Sequence, residues 1–317
     1  GGGELRMRHA FLRVGATSDT NVLAGHTWTT FADAGAWPNV TDFDGPPTGV
    51  WVRQSQVRLE TSTGVGRLQV ALETPEADFE RSLQVDSLLV EVGQNVPEVA
   101  ANLQWPGERG HIRIAGVLRH VRYQNQRDGE KAYFRGWGLT VSGVQRLTEG
   151  GDLLTFQVLG GEGIARYMVG YGGLGVDALP DASGALQPTP TLGGYVGYQH
   201  FWAPRWSSTV VGGYSLVKNE VVDGFGDVSE GSYASANLYF RPVPPLNFAV
   251  EISLKNETVT LKNEGRFLKE YTILDSNLPP ILKPPVSTTI GEKVAWRDNR
   301  PINFTSKYYM DSTKWIR

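Results

Sequence analysis

The chain of 317 residues contains no cysteine and no long apolar run. Without cysteine there are no disulfides, no thiolate metal sites and no cysteine nucleophiles. No stretch approaches the ~18 apolar residues that a membrane-spanning helix needs. The mean hydropathy of −0.27 argues against a helical membrane protein. It leaves a β-barrel open, because only alternate strand residues of a barrel face lipid. No signal-peptide pattern opens the chain: Gly1-Gly2-Gly3 leads directly into a strand-like run, as expected of a mature or truncated start. Neither a GxSxG nucleophile elbow nor an HExxH helix is present, and no Ser–His pair is placed for barrel-embedded hydrolysis. The expectation is therefore not an enzyme. His9 and His26 lack metal-ligand spacing and are expected to be wall residues, and nothing calls for a cofactor. GYGGLG at 170–175 matches GxGxxG in letters only, since no strand–helix unit surrounds it.

Alternation with a period of two fills the space these absences leave. Strand-like runs lie near 4–14, 21–28, 50–61, 66–74, 98–105, 110–123, 132–147, 152–162, 190–202, 206–218, 231–241 and 245–251. Val57 and Leu59 point to one face of their run, while Gln54, Gln56, Arg58 and Glu60 point to the other. Leu68, Val70 and Leu72 oppose Arg67, Gln69 and Glu73; Ile112, Ile114 and Leu118 oppose Arg113, Ala115 and Arg119; Leu5, Met7 and Phe11 oppose Arg6, Arg8 and Ala10. No helical stripe of comparable length competes. An apolar exterior with a charged interior describes an all-β, antiparallel, up-and-down transmembrane barrel.

The connections alternate between short and long. Gly15–Thr20, Ser62–Val65, Pro106–Arg109, Thr148–Gly151, Ala203–Arg205 and Pro242–Pro245 are short. Thr29–Gly49, Pro75–Pro97, Gln124–Lys131, Gly163–Thr189 and Asn219–Glu230 are long. Outer-membrane barrels are built this way, with short turns at one end and long loops at the other. Trp28, Trp51, Trp105, Trp137, Trp202, Trp206, Tyr239 and Phe240 sit near strand ends, where aromatic girdles form. At about 20 residues, Thr29–Gly49 exceeds an idle connection and is expected to fold into the pore as a constriction loop. Its acids, Asp33, Asp42 and Asp44, are expected either to face an arginine wall or simply to form turns.

Six arginines fall on polar strand faces: Arg6, Arg8, Arg58, Arg67, Arg113 and Arg119. Facing lipid at the bilayer midplane each would cost ~2–4 kcal/mol, so they are assigned to the lumen as an anion path. Their other reading is charge balance for Glu60, Glu73 and the loop acids. Up to residue 251 the chain has 19 basic and 26 acidic residues, a balance of −7 that disfavours nucleic-acid binding.

Composition breaks at residue 252. Residues 252–317 hold two of the 38 glycines and seven of the nine lysines, with 11 basic against 7 acidic residues. ISLKNETVTLKN could pair as a strand, and NLPPILKPPV is Pro-rich and expected to be extended. The domain expectation is a barrel over 1–251 and a tail of unrelated composition over 252–317. That tail is either an appended partner-binding segment or the join of two unrelated coding stretches.

LRMRHAFLRVG, VLAGHTW, the long acidic loop, VRQSQVRLE, GGEGIARYM and SYASANLYFRPVPPLNFAVE together resemble the DcaP-like trimeric porins of Gram-negative outer membranes. The resemblance covers about residues 1–251. It implies a sixteen-stranded barrel, with the twelve runs as its fourth through fifteenth strands. It also implies a homotrimer in outer-membrane lipid and uptake of small anionic solutes such as dicarboxylates. The chain departs from the family pattern in lacking its opening strands, its periplasmic N-terminal segment and a closing strand that ends in an aromatic residue. The alternative function is a non-conducting outer-membrane barrel that binds a ligand or acts as an adhesive surface.

Overall fold

The computed structural model describes residues 8–42, 44–76, 78–79, 89–91, 95–125, 129, 131–180, 185–218, 227–243, 246–263, 266–276, 296–297 and 300–301. In chain order the strands are β1 (Ala10–Gly15), β2 (Thr20–Trp28), β3 (Arg53–Thr63), β4 (Gly66–Glu73), β5 (Leu89–Glu91), β6 (Glu98–Gly107), β7 (Gly110–Asn125), β8 (Lys131–Arg146) and β9 (Leu153–Glu162). They continue with β10 (Ala178–Pro180), β11 (Leu186–Pro188), β12 (Pro190–Ala203), β13 (Trp206–Val217), β14 (Asp227–Val243), β15 (Leu246–Asn263), β16 (Arg266–Ser276), β17 (Trp296–Arg297) and β18 (Arg300–Pro301). Two one-turn 3-10 helices, η1 (Ala34–Ala36) and η2 (Ala165–Tyr167), lie in long loops.

Fourteen strands form one antiparallel sheet in the order β1-β2-β3-β4-β6-β7-β8-β9-β12-β13-β14-β15-β16, with β5 paired to β7. Each long strand pairs with its neighbours in sequence, which is an up-and-down meander. Pairing register keeps like faces together. Across β2, β3 and β4 the pairs Leu23–Arg58 and Arg58–Ala71 point inward, while Val22–Leu59 and Leu59–Val70 point outward. The outward face carries exposed Val57, Leu72, Leu139, Val158, Val196 and Val210; the inward face buries Gln54, Gln56, Glu73, Asn102, Thr140 and Gln157. An exposed apolar belt around a polar interior reverses the soluble pattern and matches a lipid solvent. The sheet curls around its interior: the loop after β2 touches Glu73 on β4 and also Lys255 on β15.

At the short-turn end the outward surface carries Trp105, Trp202 and Trp206, and Trp206 stacks on Phe240 at 4.5 Å between centroids. These rings form the girdle expected from the sequence. Tyr239 is a correction, since it is buried and pairs with Ser207 on the inward face. Trp28 and Trp51 also differ from the expectation. Their ring centroids lie 4.1 Å apart with the planes tilted, and Trp51 meets Trp37 of the loop at 4.3 Å, so they extend the loop's packing.

A second correction concerns β1. Ala10 and Leu12 pair with His26 and Ala24 on the outward face, while Phe11 and Arg13 pair with Gly25 and Leu23 on the inward face. The strand starts only at Ala10, and its inward cation is Arg13. The compositional break at 252 falls inside β15, which runs unbroken to Asn263 and pairs with β16. NLPPILKPPV and the last residues lie outside the described residues.

Leu139→Arg puts a charge on the lipid face in mid-strand. It is expected to lower unfolding stability in lipid vesicles by ~2–4 kcal/mol, read from urea unfolding. Unchanged stability would contradict the assignment of that face to lipid.

Candidate functional site

The loop between β2 and β3 folds inward because its own sequence pins it at several points. Asp33 caps η1 by accepting from the Gly35 N–H at 3.2 Å. Gly45 adopts φ 56°, a left-handed conformation open to glycine, and leads into Pro46-Pro47, where the Gly49 N–H donates to the Pro46 carbonyl at 2.9 Å. Trp37 lies against this turn: a Cβ on Gly49 would sit 2.0 Å from its ring.

The wall holds the loop along its whole course. Thr29 Oγ1 and the Thr30 N–H donate to Glu73 at 2.5 and 2.6 Å, and Thr30 Oγ1 donates to Gln56 at 3.0 Å. The Thr30 carbonyl accepts from Asn102 at 2.8 Å and from Arg113 at 2.7 Å. Further along, Asp33 meets His111 at 2.8 Å and accepts from Ser142 at 2.7 Å. Tyr195 donates to the Ala36 carbonyl at 3.1 Å, and Gln157 donates to the Thr48 carbonyl at 2.8 Å. At the far end Asn237 donates to the Asn39 carbonyl at 2.9 Å, Glu251 accepts from the Thr41 N–H at 2.7 Å, and Lys255 pairs with Asp42 at 2.8 Å. The loop thus bridges from β3 to β15 through the interior.

A second long loop, between β9 and β12, packs on the first. The Trp51 N–H donates to the Tyr167 carbonyl at 3.1 Å, and the Gly170 N–H donates to the Pro47 carbonyl at 2.9 Å. Its charges are buried and matched. Arg119 on β7 has no exposure and contacts Glu98 at 2.7 Å and Asp177 at 2.6 Å. Arg166 of η2 reaches Gln54 at 3.0 Å and pairs with Glu76, and the Tyr167 hydroxyl donates to Glu98. Gly138 on β8 makes room for this packing, since a Cβ there would lie 2.8 Å from Ile164 and 3.1 Å from Phe31. The GYGGLG run cradles a carboxylate: the N–H groups of Gly173 and Gly175 donate to Asp78 at 2.8 and 3.0 Å.

The expected arginines therefore part company. Arg6 lies outside the described residues. Arg8 precedes β1 and is exposed. Arg58 faces inward with its Nε 2.9 Å from Glu60, which also pairs with Arg13 at 3.0 Å. Arg67 is exposed near the Ser62–Val65 turn on the same wall. Arg113 lies under the loop, 3.9 Å from Asp33. Arg119 is a correction to the anion path, because two carboxylates and the covering loops close it off from any solute. Alternation identified its face but could not reveal what would cover it. Asp33 and Asp42 anchor opposite ends of the loop, while half-buried Asp44 donates its N–H to Asp42 at 3.1 Å.

Sequence reasoning missed Arg13, Glu98, His111, Arg166, Asp177 and Lys255. A charged Arg166 between apolar neighbours in GGEGIARYM was the available signal, because a buried cation demands a buried acid. Among the described residues, no group of three or more His, Asp or Glu side chains could hold a metal.

An apolar exterior, a polar interior, short turns opposite long loops, and a loop folded through the interior are the features of outer-membrane β-barrels of the porin type, although β1 and β16, the ends of the sheet, do not pair with each other among the described residues. No family model matches the sequence, and no curated protein does. Solved structures do, and the fold is DcaP-like. The outer-membrane channel DcaP of Acinetobacter baumannii is similar with a TM-score of 0.65 at 19% identity, over 86% of this chain and 72% of that one. OmpT expressed in the outer membrane of Vibrio cholerae gives a TM-score of 0.51 at 11% identity, over 85% of this chain and 77% of that one. The in-vitro folded trimer form of the same protein gives 0.52 at 12%, over 87% and 79%.

Asp177→Asn leaves Arg119 with one of its two carboxylates. The expected cost is ~1.5–3 kcal/mol, because a charge-assisted hydrogen bond is weakened while Glu98 remains paired with Arg119. Limited proteolysis of the folded barrel should then cut the β9–β12 loop faster than in the parent. Equal cutting rates would contradict an anchoring role for the pair.

Proposed function

We propose that this protein is a porin of the Gram-negative outer membrane, a passive diffusion channel for small hydrophilic solutes that prefers anions such as dicarboxylates. The observation that carries the reading is the inward basic wall of Arg13, Arg58, Arg67 and Arg113 beside a loop carrying Asp33. Guanidinium groups present fixed forks to carboxylates, and basic rings favour anions. Partial pairing with Glu60 keeps any one site weak, which conduction requires for release. The loop acid Asp33, 3.9 Å from Arg113, would shape the local field beside this wall. Local fields of this kind, and not the net charge of −3, govern which ions pass.

Arg58→Ala combined with Arg67→Ala is expected to move the reversal potential under a salt gradient toward cation preference. An unchanged potential would make the arginines structural and defeat the anion reading.

We also propose a homotrimer, as the resemblance to DcaP-like porins implies. Unheated gels should show a detergent-resistant oligomer that collapses to one monomer band on boiling. A monodisperse monomer by light scattering would oppose this.

One observation favours a second reading, a closed barrel that binds a ligand or a surface. Both long loops interlock across the interior, with a bridge between Val50 and Met168.

A further inference from the structure

The outward face of β7 and β8 changes chemistry toward the long-loop end. From the short-turn end β7 presents Ile112, Ile114, Gly116 and Leu118, and β8 sets Val141, Leu139 and Trp137 beside the last three. At ~3.4 Å per residue this column spans ~20 Å, most of the ~25 Å apolar band of an outer-membrane barrel. Beyond it the same parity places His120 opposite Arg135, Arg122 opposite Tyr133, and Gln124 opposite Lys131. Lys131, Tyr133 and Arg135 are exposed.

Arg122 thus has Lys131 and Arg135 as its diagonal neighbours, a separation that long side chains can bridge. Three cations gathered on one patch repel each other, and an anion shared among them removes that repulsion. Neighbouring groups hold the patch in shape. The Tyr133 ring stacks on His120 at 4.5 Å between centroids, Arg135 lies 5.7 Å from the Tyr133 ring centroid, and Arg122 donates to Asn95 at 2.8 Å. Glu162 is the acid beside them: it sits opposite Trp137 and diagonal to Arg135, and among the described residues no ion pair joins the two. Further round, the long-loop end of β14 presents Glu230 on the same outward face, so the basic character is not shared by that side of the sheet.

We propose that Arg122, Lys131 and Arg135, with Tyr133, form a site on the outside of the barrel for the phosphate headgroup of an outer-leaflet lipid. Its acyl chains lie along the Leu118 and Trp137 column. The long loops of an outer-membrane barrel are extracellular, which sets this patch at the headgroup level of the outer leaflet. Arginine presents a fork that matches phosphate oxygens, lysine adds a point charge, and a tyrosine suits the boundary between chains and headgroups. Basic clusters at a membrane surface draw anionic lipids in the same way. The site belongs to the lipid face, so it holds whether or not the interior conducts.

The test is native mass spectrometry of the detergent-folded protein titrated with bis-phosphorylated lipid A and with the same lipid after phosphatase treatment. The parent is expected to bind the phosphorylated form saturably and at least about tenfold more tightly, as a few charge-assisted hydrogen bonds predict. Arg122→Gln/Arg135→Gln should lose that preference. Arg109→Gln/Arg205→Gln, which removes two exposed arginines from short turns, should keep it within about twofold. Heat-modifiable migration first shows each variant to be folded, and the comparison of the two lipid forms on the parent needs no variant. Inorganic phosphate in large excess should leave the lipid bound. Equal binding of the two lipid forms by the parent, an unchanged preference in Arg122→Gln/Arg135→Gln, or a comparable loss in the short-turn variant would overturn the site. Displacement by inorganic phosphate would also overturn it, since the patch would then hold a free anion and not a lipid.

Discussion

The fold depends on burying charge inside the barrel only in matched form. Arg119 and Glu98 meet at 2.7 Å with neither side chain exposed, and Asp177 closes the group at 2.6 Å. The Arg119–Glu98 pair still leaves guanidinium donors to be bonded, and a buried ion pair needs a further element to bond them. The β9–β12 loop supplies that element through Asp177 and Arg166, and so it is drawn into the interior. Once there, it gives the first loop a surface to rest on at Tyr167 and Met168. The arginines left near solvent are those that the two loops do not reach.

The strands were readable because their signal is local. Each needs only alternation between adjacent residues, and all twelve expected runs correspond to observed strands, most within two or three residues at their ends. β1 shows where that signal weakens. Arg8, Ala10, Leu12, Phe11 and Arg13 mix chemistries on both faces, so parity alone assigned the wrong cation, and only pairing with β2 brought Arg13 to the interior. Tyr239 failed for a related reason: an aromatic ring suits either face, and its neighbour Phe240 took the outward place.

The site was less readable, because loop docking is non-local. Nothing adjacent to Asp33 announces His111 or Ser142, which lie more than seventy residues away along the chain. Glycine carried part of the information. Most of it lies before residue 252, and at Gly138 a larger side chain would occupy the space that Ile164 and Phe31 need. A glycine inside a strand thus marks where a loop lands. The tail gave the opposite impression. Its composition suggested a boundary at 252, yet β15 crosses that point as one strand.

The central claim is that the curled sheet and its inward loops leave a conducting path. Single-channel recording in planar bilayers tests it most directly. It should use protein whose heat-modifiable migration and strand content show it to be folded. The account predicts discrete open steps whose current scales with salt. Folded protein that inserts but gives no steps would contradict it, and would leave a closed, ligand-binding barrel as the reading that fits the interlocked loops.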